Sequence, residues 1–262
     1  MINKKQEWDK NKKAGVPHAV FDNFLDEETC LKIYEECISA PKGGWTVFTR
    51  AGSRMEEFND LISCPTAHQV TYDLMHSGEM LYDLEQLTGV VGLIPDPHLV
   101  GTGFSIFRNG GNLGCHYDFN WNDRLRLHRT LSSLLFITPD WKDEWGGHHQ
   151  VWDKNKDVDS SAKLLGSVAP TFNRFVVKEN MWYEESQQKG DWHSVSTVNC
   201  PDDVEGRCAI RFFYYLSSSE YDPKNLPHRS TYASMEYTHQ KLYEEEVTTS
   251  HYVGEGGEEY QL

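Results

Sequence analysis

Residues 99–120, LVGTGFSIFRNGGNLGCHYDFN, are where this chain changes character, from helical periodicity to short β-rich runs. A turn-forming segment, RNGGN (108–112), separates LVGTGFSIF (99–107) from LGCHYDFN (113–120). The same texture returns downstream in LSSLLFIT (131–138), HHQVW (148–152), NRFVV (173–177), WHSVSTV (192–198) and RCAIRFFYY (207–215). In a strand, residues two apart face the same way, so His116 and Asp118 can reach one metal ion from one edge. A second imidazole has to come from another strand, and Trp192-His193-Ser194 supplies it. Two imidazoles and one carboxylate can cap one face of Fe(II) and leave the opposite face open. A structural zinc site would instead require four closed ligands, often sulfur. Arg207, beyond His193, offers a rigid fork for a carboxylate.

Helical patterns precede this region. Asp26 caps DEETCLKIYEECISA (26–40), in which Leu31, Ile33, Tyr34, Cys37 and Ile38 form an apolar stripe. Cys30 and Cys37, seven apart, share a face and read as core. A second helical pattern runs over 66–87 with Gly89 as its stop. Residues 1–15 read as a mobile polar arm, and 217–262 as an acidic C-terminal extension that forms a lid or a wrap. Helices first and strands afterwards give an α+β, mainly β, architecture. One domain spans 16–216, with N-terminal helices bracing a closed or sandwiched sheet over about 99–216.

The 262 residues suffice for one domain with a sizeable core. A net charge of -15 argues against general affinity for nucleic acid or an anionic membrane. No stretch has the apolar length of a signal peptide or a membrane span. The six cysteines show no C-x-x-C pairing. Free thiols and a cytoplasmic location are therefore the expectation.

The ordered series LTGVVGLIPDPHLVGTGFSIFRNGGNLGCHYDFN, LHRTLSSLLFITPDWKDEWGGHHQVWD, APTFNRFVVKEN, DWHSVSTV and GRCAIRFFYY resembles the iron(II)/2-oxoglutarate-dependent dioxygenases, in their prolyl-4-hydroxylase-like branch. FDNFLDEETC (21–30) is similar to that branch's usual entry. The resemblance implies a double-stranded β-helix, or jelly roll, with His116, Asp118 and His193 as iron ligands. It implies Fe(II), 2-oxoglutarate and O2 as cofactor and cosubstrates. The implied reaction hydroxylates an unactivated C–H bond of a small metabolite, an amino acid or a prolyl or peptidyl substrate, releasing succinate and CO2. Asp118 stands where halogenating relatives carry a small residue, which favours hydroxylation.

By the same resemblance Arg207 binds the far carboxylate of 2-oxoglutarate, with Arg211 as its competitor, and CPDDVEG (200–206) absorbs a longer interval after His193. Phe107 lines the cosubstrate pocket where relatives carry a tyrosine. Leu135 lies where relatives place a polar contact, with Ser133 as substitute. Arg129 and an inward-facing His149 are candidate substrate contacts, with structural pairing as the alternative for each, and Asn120 and Trp121 are placed to shape the mouth. Cys115 abuts the site. The alternatives from other classes are a non-catalytic cupin-like metal-binding or sensing module, and a cupin-type isomerase or hydrolase indifferent to oxygen and 2-oxoglutarate.

Overall fold

The computed structural model describes residues 1–50, 53–180 and 191–217, together with the backbone of short strands at 231–232, 238–241 and 250–251. Its helices are α1 (Lys5–Lys13), α2 (Glu27–Ser39), α3 (Pro65–Gln69) and α4 (Gly78–Thr88). Its strands are β1 (His18–Phe21), β2 (Trp45–Arg50), β3 (Ser53–Phe58), β4 (Ile94–Pro95), β5 (Gly103–Phe107), β6 (Leu113–Tyr117), β7 (Trp121–Asn122), β8 (Leu127–Phe136), β9 (His149–Trp152), β10 (Leu164–Val168), β11 (Arg174–Glu179), β12 (Trp192–Val195), β13 (Arg207–Leu216), β14 (Thr231–Tyr232), β15 (Thr238–Lys241) and β16 (Ser250–His251).

The strands form two antiparallel layers. The major sheet runs β1-β11-β8-β13-β5-β3-β2-β15-β16, with β4 on β13 and β7 on β8. The minor sheet runs β10-β9-β12-β6-β14. This is the jelly-roll layout the sequence leads one to expect. The central strand β13, between β8 and β5, is apolar along nearly its whole length because both of its faces are covered. One face packs on the helices: Ile210, Phe212 and Tyr214 join Leu131, Leu135, Phe175 and Val177 in a core with Cys30, Ile33 and Cys37 of α2 and Leu84 and Leu87 of α4. The other face looks toward the minor sheet and lines the barrel interior.

Local chemistry sets the helix limits. Asp26 accepts a hydrogen bond from the Thr29 amide and caps α2. Ser77 caps α4 through the Met80 amide, and Gly89, at φ +77°, closes it in the left-handed region.

Three expectations are corrected. The pattern over 66–87 is not one helix: α3 passes into a π-helical stretch at Val70–Met75, and the Ser77 cap starts α4 afresh. Residues 1–15 are not a mobile arm, since α1 buries Trp8 completely in the main core. Strands also precede residue 99, because β1, β2 and β3 all join the major sheet. The C-terminal extension adds β14 to the edge of the minor sheet and β15 and β16 to the major sheet. The rest of it, and with it the lid expectation, lies outside the described residues. No helix among the described residues is long and apolar enough to cross a membrane.

Candidate metal centre

Antiparallel pairing of β6 with β12 places His116 directly opposite His193. Directly paired residues present their side chains on the same face, and the two imidazole rings lie 4.2 Å apart, centroid to centroid. Asp118, just past the end of β6, completes the cluster: one ligand atom from each of the three lies within 4.8 Å of the others. Asp118 Oδ1 is 3.5 Å from Nε2 of His116 and 3.5 Å from Nε2 of His193.

The hydrogen bonds behind these atoms suit a cation. His116 Nδ1 donates to the Gly114 carbonyl at 2.8 Å, and His193 Nδ1 donates to the Asp191 carbonyl at 2.7 Å. A carbonyl only accepts, so each Nδ1 carries the proton and each Nε2 turns a lone pair to the cluster. Burial, reinforced by the neighbouring His193, lowers the pKa of His116 and keeps it neutral. Burial alone would raise the Asp118 carboxyl, but Arg129, Lys178 and His193 outweigh it and hold the group well below the usual range. The donor set therefore fits a divalent cation with one carboxylate oxygen and two imidazole Nε2 atoms.

Two strand residues missed in the sequence, Lys178 and Ser132, build the surroundings. Lys178 on β11 reaches Asp118 Oδ2 at 3.4 Å and forms a buried ion pair with Asp191. Ser132 accepts from Arg129 Nη2 at 2.7 Å and donates to Asn180 at 2.7 Å. Their signal was a set of polar residues inside otherwise apolar strands. Arg129 Nη2 donates to Asp118 Oδ2 at 2.9 Å, and its guanidinium lies between the rings of Phe119 and Phe213. The structure thus places Arg129 against the metal carboxylate instead of free in a substrate pocket.

Deeper in the barrel lies Arg207, 2% exposed. Its guanidinium carbon sits 5.0 Å from the Phe107 ring centre and 4.6 Å from that of Phe136. Nε and Nη2 have no hydrogen-bond partner among the described residues. Burial pushes its pKa down to about 9, which still leaves it charged at neutral pH. Two glycines make room for it. A Cβ at Gly206, φ +123°, would meet the Phe107 carbonyl at 2.5 Å, and one at Gly147, φ +71°, would press on the Arg207 side chain at 3.1 Å. The inserted loop is pinned by Arg108, which donates to Glu205 at 2.6 Å. Arg211 is engaged elsewhere, paired with Glu57 and bonded to Asn59.

Ser133 and Leu135 are corrections. Both face the helices: Leu135 belongs to the main core, and Ser133 bonds the Phe212 carbonyl and the Tyr214 hydroxyl. Alternation along β8 turns Ser132, Leu134 and Phe136 to the interior instead. His149 turns inward, its ring centre 5.2 Å from that of His193, while His148 faces outward to Asp143 and Ser167. Burial and the nearby cations hold His149 well below the ordinary histidine pKa. Asn120 is buried, and its carbonyl accepts from the Arg129 amide at 2.8 Å. Trp121 packs edge-on to His128 with Arg126 over its ring. Burial pushes the Cys115 thiol up to about 12, the inert state of a thiol.

A jelly roll that gathers two histidines and an aspartate, and buries an arginine with two nitrogens unpaired among the described residues, has the layout of a non-haem metal oxygenase. The model of the 2OG-Fe(II) oxygenase superfamily matches residues 102–215. The matched segment is similar to that superfamily, whose chemistry uses Fe(II), 2-oxoglutarate and O2. Among solved structures, a Trichoplax adhaerens prolyl hydroxylase in complex with a peptide fragment of the hypoxia inducible factor oxygen degradation domain is 15% identical with a TM-score of 0.50. That alignment covers 84% of this chain and 91% of the other. A prolyl 4-hydroxylase from Phytophthora capsici is 18% identical with a TM-score of 0.52, over 87% of this chain and 68% of the other. These two likenesses carry the fold. No curated protein matches the sequence.

Proposed function

We propose that the protein is an Fe(II)- and 2-oxoglutarate-dependent hydroxylase acting on an unactivated C–H bond of a small metabolite, an amino acid or a prolyl or peptidyl substrate. His116, Asp118 and His193 hold the iron, and Arg207 holds the far carboxylate of 2-oxoglutarate. Bound iron supplies the activation of dioxygen, at the expense of converting 2-oxoglutarate to succinate and CO2.

The protein's part is binding and orientation. The protonated Nδ1 atoms keep both Nε2 atoms directed at the metal position. Arg129 and Lys178 hold Asp118 by its other oxygen. Phe107 and Phe136 keep water from the guanidinium of Arg207, which strengthens its attraction for a carboxylate.

The observation that carries this reading is the pairing of the three-ligand cluster with a buried guanidinium whose Nε and Nη2 have no partner among the described residues. An unpaired buried cation costs several kcal/mol, which is why such groups rarely persist without a ligand that completes them. A passive metal-binding module has no use for it.

The test measures succinate formation under oxygen with Fe(II), across a panel of peptides and metabolites screened by mass for the gain of one oxygen atom. Substrate-linked succinate that disappears in His116→Ala, Asp118→Ala and His193→Ala supports the reading. An iron-loaded protein that never consumes 2-oxoglutarate removes it.

A further inference from the structure

The polar cosubstrate contact expected at Ser133 is not in place, since Ser133 is turned to the helices, and Phe107, the expected pocket wall, carries no hydroxyl. Besides the Arg207 nitrogens, Nε2 of His149 is a polar atom of the interior without a partner among the described residues. The residue is 5% exposed, and Nε2 has no hydrogen-bond partner among the described residues. A buried donor left unpaired costs about 1–3 kcal/mol, so its persistence calls for a ligand atom opposite it.

The course of the chain through residues 147–151 fixes where that atom lies. Gly147 abuts the Arg207 side chain. Val151 pairs directly with His193. His149 shares the inward face of β9 with Val151, since residues two apart in a strand point alike. Its ring centre lies 5.2 Å from that of His193, on the stretch of chain that leads from the Arg207 side chain to the metal cluster. A keto-diacid stretched from one to the other has to pass the His149 ring.

We propose that His149 is a positioning residue for the cosubstrate: its Nε2 donates a hydrogen bond to a carboxylate oxygen of 2-oxoglutarate, taking the place of the missing hydroxyl. The proposal rests on the cosubstrate reading above. It gives Arg207 a partner along the barrel and assigns His149 to the cosubstrate instead of to the hydroxylated substrate.

The experiment is calorimetric titration of 2-oxoglutarate into the Mn(II)-loaded full chain, with Mn(II) affinity measured separately. A hydrogen bond to a charged group contributes about 1.5–3 kcal/mol, so His149→Leu is expected to weaken 2-oxoglutarate binding by roughly 10- to 100-fold. Mn(II) affinity is expected to stay within about twofold. His149→Gln keeps a donor, and its affinity is expected to fall between those of the parent and the leucine variant. Leucine also fits the apolar neighbours Val151 and Val168, so the variant keeps a packed interior.

Parent-like 2-oxoglutarate affinity in His149→Leu overturns the proposal. So does an equal loss of Mn(II) and 2-oxoglutarate affinity, which marks a merely structural histidine. Should either variant fail to fold, the other decides by the same comparison. If neither folds, a purely structural role is the result and the proposal falls. A parent that binds Mn(II) but not 2-oxoglutarate overturns the cosubstrate reading itself, which sets that failure apart from the failure of His149 alone.

Discussion

Arg129 Nη2 lies 2.9 Å from Asp118 Oδ2, so the two oxygens of this carboxylate have separate partners. Oδ2 belongs to Arg129 and Lys178, and Oδ1 faces the Nε2 atoms of both histidines. A carboxylate held this way offers a metal one oxygen at a fixed angle. In Arg129→Gln the planar donor fork is gone and Asp118 is free to turn. Residues that orient metal ligands contribute about 10–100-fold to affinity, so Mn(II) or Co(II) binding is expected to weaken by that factor. Arg129→Lys keeps the charge but not the fork, and is expected to recover only part of it. Metal affinity unchanged in Arg129→Gln would show that Asp118 needs no such support.

Arg207 sets function against stability. Its guanidinium is buried between two phenyl rings with Nε and Nη2 unpaired. Arg207→Met removes that desolvated charge, so the cosubstrate-free protein is expected to gain about 1–3 kcal/mol in chemical denaturation. The same variant is expected to lose the rise in melting temperature that 2-oxoglutarate gives the metal-loaded parent. Arg207→Lys is expected to raise the 2-oxoglutarate requirement more than the iron requirement. Arg211→Lys is expected to leave both alone, because Arg211 is paired with Glu57. An effect confined to Arg211→Lys would transfer the role.

What the sequence revealed and concealed has one physical cause, the visibility of alternation. His116 and Asp118 sit in LGCHYDFN, where polar and apolar residues mix and the two-residue spacing can be read directly. LSSLLF and RFVVKE are apolar on both faces because their strands are covered on both sides. Nothing local then says which parity faces the helices. The resemblance made Ser133 and Leu135 pocket residues, no local pattern was there to correct the parity, and the same blindness hid Ser132 and Lys178. The break inside 66–87 escaped because a π-helical turn keeps an apolar stripe nearly intact, while the Ser77 cap carries its signal in a single residue. Next to the His193–His116 pair the register shifts, with an extra residue in β6 between Leu113 and His116, and this irregularity leaves no local trace.

His76 gives a pH test away from the metal. Burial lowers its pKa from the usual value near 6.5 to about 4. The unfolded chain therefore takes up a proton at this site before the folded one does, and folding stability falls as pH drops from about 6.5 toward 4. Above that window the group is neutral in both states and contributes no pH dependence. His76→Gln removes the linkage, so the difference in unfolding free energy between parent and variant is expected to shift in the variant's favour from pH 7 to pH 5. A difference that stays constant across this range would mean that His76 is solvated in the folded protein.

The first helix supplies the sharpest contrast between composition and structure. KKQEWDKNKK reads as a solvated segment, yet a single tryptophan reverses that reading. Trp8 is fully buried against the main core, and α1 is tied down by the Lys12–Glu179 ion pair at 2.7 Å and by Asn11 donating to the His18 carbonyl at 2.9 Å. The exposed ion pair contributes little, so the buried ring dominates. Trp8→Ala opens a cavity of aromatic size and is expected to cost about 3–5 kcal/mol in chemical denaturation. The effect should reach the site, because α1 packs on β1 and β1 pairs with β11, the strand that carries Lys178. Hydrogen exchange in Trp8→Ala is therefore expected to speed up along residues 18–21 and 174–179 while residues 103–107, paired elsewhere, keep their protection. Exchange unchanged at 174–179, with stability lost all the same, would show that α1 braces the helical layer alone and leaves the metal-bearing barrel independent of it.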